Sequence, residues 1–199
     1  MVGFKDIPDK SIDCVIMDPP YGLNKDIVGD ESLDIYYKSL IQCYRVMKDD
    51  SFLATFISIK KIQEMFLHNP FEYVWMFIVN TPSSSTRAPF GFNVYMPVLI
   101  FRKGDKKRNE CIRDTDYLYY EMGHKDVHPT QKKPETFYKL IRTLTKEGDT
   151  VLDPFAGTGP VGVECKLLNR NYIGFEIDSY YAEYANEQIK NTNLSNKLW

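Results

Sequence analysis

The residues best suited to chemistry are Asp18, Pro19, Pro20 and Tyr21, which close the apolar run Cys14-Val15-Ile16-Met17. Four consecutive apolar residues ending at a polar break describe a strand buried on both faces, as inside a parallel sheet. Two prolines fix two φ angles and remove two N–H donors, so the chain must leave this strand as a stiff turn with free carbonyls. Such a turn offers the Asp18 carboxylate and the Pro19 carbonyl as paired acceptors for one small donor, with the Tyr21 ring beside them as a stacking plate. A planar base bearing an exocyclic amino group fits that description. A strand-ending Asp-Pro turn also occurs for purely structural reasons, so the rest of the chain has to decide.

Two further stretches bear on the choice. Thr150 to Gly159 reads as strand, Gly-rich turn and helix start; glycine lets backbone pass close to a ligand, and helix-start N–H groups favour anionic groups. Asn171 to Glu176 reads as a short strand ending in an acid. An acid about 20 positions beyond such a turn is placed to accept hydrogen bonds from ribose hydroxyls, at the sheet edge where α/β proteins bind ligands.

Asp18-Pro19-Pro20-Tyr21 resembles the catalytic signature of the S-adenosylmethionine-dependent amino methyltransferases, which methylate adenine N6 or cytosine N4 in DNA. Asp153-Pro154-Phe155-Ala156-Gly157-Thr158-Gly159 resembles the methionine-binding loop of the same enzymes. His128-Pro129-Thr130-Gln131-Lys132-Lys133-Pro134 is similar to the family's His-Pro-Thr-Gln-Lys-Pro, with one additional lysine that leaves the register of Gln131, Lys132 and Lys133 open. The order of the three matches resembles the permuted class, in which the catalytic half precedes the cofactor half.

The resemblance implies an α/β fold: a Rossmann-like methyltransferase sheet, mostly parallel with an antiparallel edge. It implies S-adenosyl-L-methionine as cofactor, DNA as partner, and Asp18, Pro19, Pro20 and Tyr21 as the catalytic turn. Asp153, Pro154, Phe155, Gly157 and Gly159 would hold the cofactor, with Glu176 on its ribose, Ile177 flanking its adenine, and Thr130, Gln131 and Lys132 near its methionine end. Asp at the first motif position favours adenine N6 in this family. Cytosine N4 and RNA adenine are the alternatives, and a non-catalytic methyltransferase-like subunit is the rival from another class.

These residues need a scaffold. Leu33, Tyr36, Tyr37, Leu40, Ile41, Tyr44 and Met47 recur at helical spacing, an amphipathic stripe that should lie on one sheet face. Phe52 to Ile57 and Val74 to Val79 read as strands, with a short helix over Ile59 to Leu67 between them. Tyr95 to Phe101 is a strand containing Pro97, which places it at an edge or beside a bulge. Pro134 suits the start of a helix that Gly148 ends. The aromatic stripe from Tyr180 to Tyr184 on the last helix reads as core packing. Gly104 to Val127 is polar and aperiodic; in the family that place holds the target-recognition region, here short.

The 199 residues, 43% hydrophobic and 26% charged, suit one domain spanning 1–199. No apolar run approaches the ~18 residues of a membrane span, and no signal-peptide pattern opens the chain, so a cytoplasmic protein is expected. Cys14, Cys43, Cys111 and Cys165 lack metal spacing and read as reduced thiols. A net charge of −2 counts mildly against a nucleic-acid partner, while Arg102, Lys103, Lys106, Lys107 and Arg108 form a local basic cluster that a solvated loop explains equally well.

Members of the permuted class usually begin with one more strand, which covers the edge beside the Glu176 strand and helps enclose the adenine. The chain begins too late to carry it, so that edge is expected to be open. A truncated frame, a homodimer or partner chain completing the pocket, and a reduced enzyme all fit. The isolated chain is expected to bind cofactor about 1–3 kcal/mol more weakly than a closed pocket would.

Overall fold

The computed structural model describes residues 3–23, 32–81, 87–105, 107, 115–119 and 132–193. Seven strands form one sheet. β1 (Ile12–Met17) lies between β2 (Met47–Phe56) and β8 (Thr150–Asp153), and β9 (Asn171–Gly174) follows β8 at one end. On the other side of β2 come β6 (Tyr95–Lys103), β3 (Glu72–Asn80) and β7 (Tyr117–Tyr119), while β4 (Arg87–Ala88) and β5 (Gly91–Phe92) form a separate two-stranded hairpin. β1 is parallel to both neighbours, β9 is parallel to β8 and β7 to β3; β6 alone in the large sheet runs antiparallel to its neighbours.

Among the described residues four α-helices pack around it: α1 (Asp34–Val46), α2 (Glu135–Leu144), α3 (Pro160–Leu167) and α4 (Ser179–Asn191). The alternation of β1 explains why both faces need cover. Val15 and Met17 join Tyr36, Leu40 and Cys43 of α1 in one core, whereas Cys14 and Ile16 join Phe137, Leu140 and Ile141 of α2 and Val161 and Cys165 of α3 in the other. Each strand side chain is directed to the face opposite its neighbour, so an unbroken apolar run is what a sheet between two helical layers requires.

Several local expectations change. β6 is interior, paired with β2 and β3 on its two sides, so Pro97 is at neither an edge nor the bulge, which falls in β3 between Tyr73 and Trp75. The proline is tolerated because β2 pairing ends at Phe56–Val98, and Pro97 contributes its carbonyl to the Ile57 N–H at 3.2 Å. Ile78, its neighbour on β3, sends its N–H the other way, to the Asp116 carbonyl. The Ile59 to Leu67 helix is two single 3-10 turns, Ile59–Lys61 and Glu64–Phe66. α2 ends at Leu144, and Gly148, at φ +82°, makes the turn into β8 instead of capping the helix. β7 lies inside the polar stretch expected to be irregular; most of Gly104 to Val127 falls outside the described residues.

α4 is the largest departure from a core reading. Only Ala185 is buried, and Tyr180 stacks edge-on against Tyr181 while 61% exposed. β9 is terminal in the sheet, with no described strand beyond it. A cleft of about 700 Å³ runs along that side between β9, α3 and α4. Among the described residues, no helix is long and apolar enough to cross a membrane. Cys14, Cys43 and Cys165 are buried.

Candidate active site

Parallel pairing of β1, β2, β3, β7, β8 and β9 puts all their carboxyl ends on one rim. The register Val15–Leu152 sets the tip of β1 beside the tip of β8, so Asp18 and Asp153 leave neighbouring strands at the same edge. The register Asp153–Gly174 then brings Glu176, two residues beyond β9, next to the Asp153 loop. β6 runs the opposite way, so its amino end, Tyr95 and Met96, arrives at this rim too.

The Asp18–Tyr21 turn is internally cross-linked. Tyr21 donates its hydroxyl to Asp18 Oδ1, and the tyrosine oxygen also lies 3.2 Å from Met96 Sδ. Lys132 Nζ donates to Asp18 Oδ2 in an ion pair and stands 5.1 Å from the centre of the Phe56 ring. Pro19 is buried and Pro20 half-buried, so the turn is anchored in the protein while Asp18 faces the rim. Each Asp18 oxygen keeps a further lone pair for an incoming donor. Tyr21 is therefore tied to Asp18 through its hydroxyl, and Met96 and Phe56 belong to the site although neither carries a motif.

The glycine loop is tethered to β9. Phe155 N–H donates to Asp153 Oδ1 at 3.0 Å, Ala156 N–H to the Phe175 carbonyl at 2.8 Å, and Phe175 N–H to the Asp153 carbonyl at 2.9 Å. Gly157, at φ +52°, donates its N–H to Glu176 Oε2 at 2.8 Å, and Glu176 Oε1 accepts from Asp178 N–H at 2.9 Å. A Cβ at Gly157 would meet nothing within 4 Å, so that side of the loop faces open space. At Gly159, φ +80°, a Cβ would stand 2.7 Å from the Ala185 Cβ; this glycine allows α3 and α4 to approach. Pro154 is buried beneath the loop, and Ile177 is 86% exposed just past Glu176.

Burial pushes the Asp153 carboxyl up to about 8. The Phe155 N–H opposes that rise, the Asp18 and Glu176 carboxylates add to it, and Lys132 counters it. The four side chains thus share one electrostatic neighbourhood, with an excess of acids that suits a cationic ligand. The expected site residues come together on this rim except Thr130 and Gln131, which lie outside the described residues. Lys132, expected at the methionine end of a cofactor, is instead paired with the Asp18 carboxylate. Arg102 and Lys103 lie at the opposite rim, where Arg102 pairs with Glu72 and Lys103 donates to the Tyr44 and Met47 carbonyls. The large cleft reaches Glu176 and Ala156 but not Asp18, whose shelf is filled by Lys132 and Tyr21.

The family model for DNA methylase, covering N6 and N4 methyltransferases, matches residues 12–122 and 112–187. This chain belongs to that DNA methylase family. Among curated relatives, the type II methyltransferase M.HpaI of Haemophilus parainfluenzae is 27% identical over 94% of this chain and 71% of its own length. The chain spans between 18% and 56% of the length of three other curated type II methyltransferases that it matches. Of solved structures, the M1.HpyAVI–SAM complex superposes with a TM-score of 0.73 at 22% identity, covering 93% of this chain and 90% of that one. The cytosine-N4-specific PvuII DNA methyltransferase superposes with a TM-score of 0.74 at 17% identity, covering 96% and 85%. At those identities the structural likeness establishes the fold, a Rossmann-like α/β methylase sheet.

Proposed function

We propose that this chain transfers a methyl group from S-adenosyl-L-methionine to the exocyclic N6 of adenine in DNA. The observation that carries the reading is the adjacency of the Asp18 turn and the Asp153 glycine loop at the tips of paired strands. The residues present fit that cofactor. The loop leaves open space at Gly157, Glu176 is fixed by two backbone N–H groups where ribose hydroxyls would reach it, and exposed Ile177 offers an apolar plate for an adenine. When bound, the cofactor supplies an electrophilic methyl group on a sulfonium.

The chain's own contribution is positioning and electrostatics. An adenine amine is a weak nucleophile because its lone pair is delocalised into the ring. Hydrogen bonds from the NH2 to Asp18 and to the Pro19 carbonyl draw the nitrogen toward a tetrahedral shape and free that lone pair for in-line attack. The proton which the methylated nitrogen sheds passes to the Asp18 carboxylate that accepts its hydrogen bond. The target base must leave the duplex to reach this shelf. The short 104–127 stretch is read as target recognition, and β9, with no described strand beyond it, offers the edge at which a second chain would pair beside the adenine side.

Labelled methyl transfer to DNA, followed by nucleoside mass spectrometry, tests the proposal. N6-methyladenine made by wild type and lost in Asp18→Ala is the expected result. N4-methylcytosine would move the assignment to cytosine, the family's other amine. An Asp18→Ala variant with unreduced transfer would remove the assigned chemistry.

A further inference from the structure

The β4–β5 hairpin is built and placed like a tool, yet neither cofactor binding nor activation of the amine involves it. It rises between the carboxyl end of β3 and the amino end of β6, on the rim that carries Asp18. Its base is closed by the Thr81 N–H donating to the Val94 carbonyl at 2.7 Å, and Met96, two residues further along, touches the Tyr21 hydroxyl. Arg87 pairs opposite Phe92 and Ala88 opposite Gly91, so Pro89 and Phe90 form the tip. Gly91 takes φ +147°, which only glycine adopts without strain, and a Cβ there would meet nothing within 4 Å.

The tip is apolar and exposed. Phe90 is 102% exposed, Phe92 65% and Val94 44%, and Arg87, the strand partner of Phe92, is exposed as well. Large apolar side chains held in water on a two-stranded ribbon mark an interaction surface. Flipping leaves a gap in the stack, and apolar wedges with neighbouring cations are how proteins enter such gaps.

Resting on the DNA-methylation reading, we infer that this hairpin is the wedge that opens the duplex. Phe90 enters the base stack next to the target nucleotide, and Arg87 meets the adjacent backbone phosphate. The partner is double-stranded DNA, and the requirement vanishes when the target is already unpaired.

The test compares labelled methyl incorporation into native and heat-denatured genomic DNA by wild type, Phe90→Ala and Phe90→Trp. Phe90→Ala should lose at least about tenfold on native DNA while changing less than about twofold on denatured DNA, and Phe90→Trp should keep most of the duplex activity. Equal loss on both substrates, or none on the duplex, overturns the inference. Plasmid unwinding, read as the linking-number change after topoisomerase relaxation in the presence of protein, gives a readout independent of catalysis: wild type unwinds and Phe90→Ala does not. Wild type that methylates neither substrate would count against methyl transfer, and the unwinding result would still decide the wedge. A dimer that Phe90→Ala converts to monomer in sedimentation would make the tip a subunit contact and overturn the proposal.

Discussion

Lys132 and Asp18, 114 residues apart in the chain, meet as an ion pair in which the lysine side chain is 7% exposed and the carboxylate 28% exposed. A lysine this buried needs a partner, and Asp18 supplies the acceptor at the rim. The pair joins the segment before α2 to the tip of β1, so the Asp18 carboxylate is oriented from the half of the chain that carries the glycine loop. Lys132→Met should therefore lower kcat by about 10- to 100-fold and leave the cofactor KM nearly unchanged, because the nucleophile's acceptor is misplaced while the Gly157–Glu176 contact is intact. Steady-state kinetics with cofactor varied at saturating DNA reads the split. A rise in cofactor KM with kcat preserved would return Lys132 to a cofactor contact.

That pairing is not legible in the sequence, whereas the two strand tips are. Asp18 and Asp153 each announce themselves locally, because an apolar run broken by Asp-Pro marks the exit of a buried strand, and two such strands in a parallel sheet share a rim. The Lys132 contact depends on how the loop before α2 returns to β1, and an additional lysine in that stretch blurs which one arrives. Met96 and Phe56 carry no local signal either; they reach the site because β6 begins, and β2 ends, where β1 ends. Pro97 misleads for a related reason: its missing N–H falls one residue beyond the β2 ladder, a fact of register and not of composition. The exposure of α4 follows from the terminal position of β9 among the described strands, since a helix flanking a terminal strand has less to pack against.

Asp153 makes stability depend on pH. Its carboxyl titrates near 3.8 when unburied and at about 8 in the fold, so the folded chain holds a proton that the unfolded chain releases between those values. That contribution is complete below the unfolded value and is lost as pH rises through the folded one, at up to about 1.4 kcal/mol per pH unit. Asp153→Asn imitates the protonated carboxyl and keeps an oxygen for the Phe155 N–H. Its Tm advantage over wild type should grow steadily from about pH 5 to about pH 8. A constant difference across that range would show that Asp153 is ionised throughout.

Glu164 offers a separate stability test, away from the rim. It is fully buried on α3, and neither carboxyl oxygen has a hydrogen-bond partner among the described residues. Burial first, and the Glu135 carboxylate second, push it up to about 7. The fold pays more for this acid as pH rises, because ionisation is then favoured only in the unfolded chain. Glu164→Met, similar in length and a good helix former, should stabilise the protein by about 1–3 kcal/mol near pH 8 and by less near pH 5. Chemical denaturation at the two pH values measures the difference. Destabilisation at both would mean that the carboxyl has a partner, such as a buried water, which the methionine cannot replace.

Glu176 ties loop order to cofactor use. One oxygen accepts from Gly157 N–H at 2.8 Å and the other from Asp178 N–H at 2.9 Å, so the carboxylate fixes both the glycine turn and Asp178, the residue that caps α4. Glu176→Ala frees both donors and removes the proposed ribose acceptor. The cofactor KM should rise about 10- to 100-fold with a smaller change in kcat, and unfolding free energy should fall by about 1 kcal/mol. Glu176→Gln separates the two effects: its single carbonyl oxygen can keep the Gly157 bond and most of the stability, but it offers the ribose diol one acceptor fewer. If Gln matched wild type in cofactor KM, the acid would be serving the loop alone.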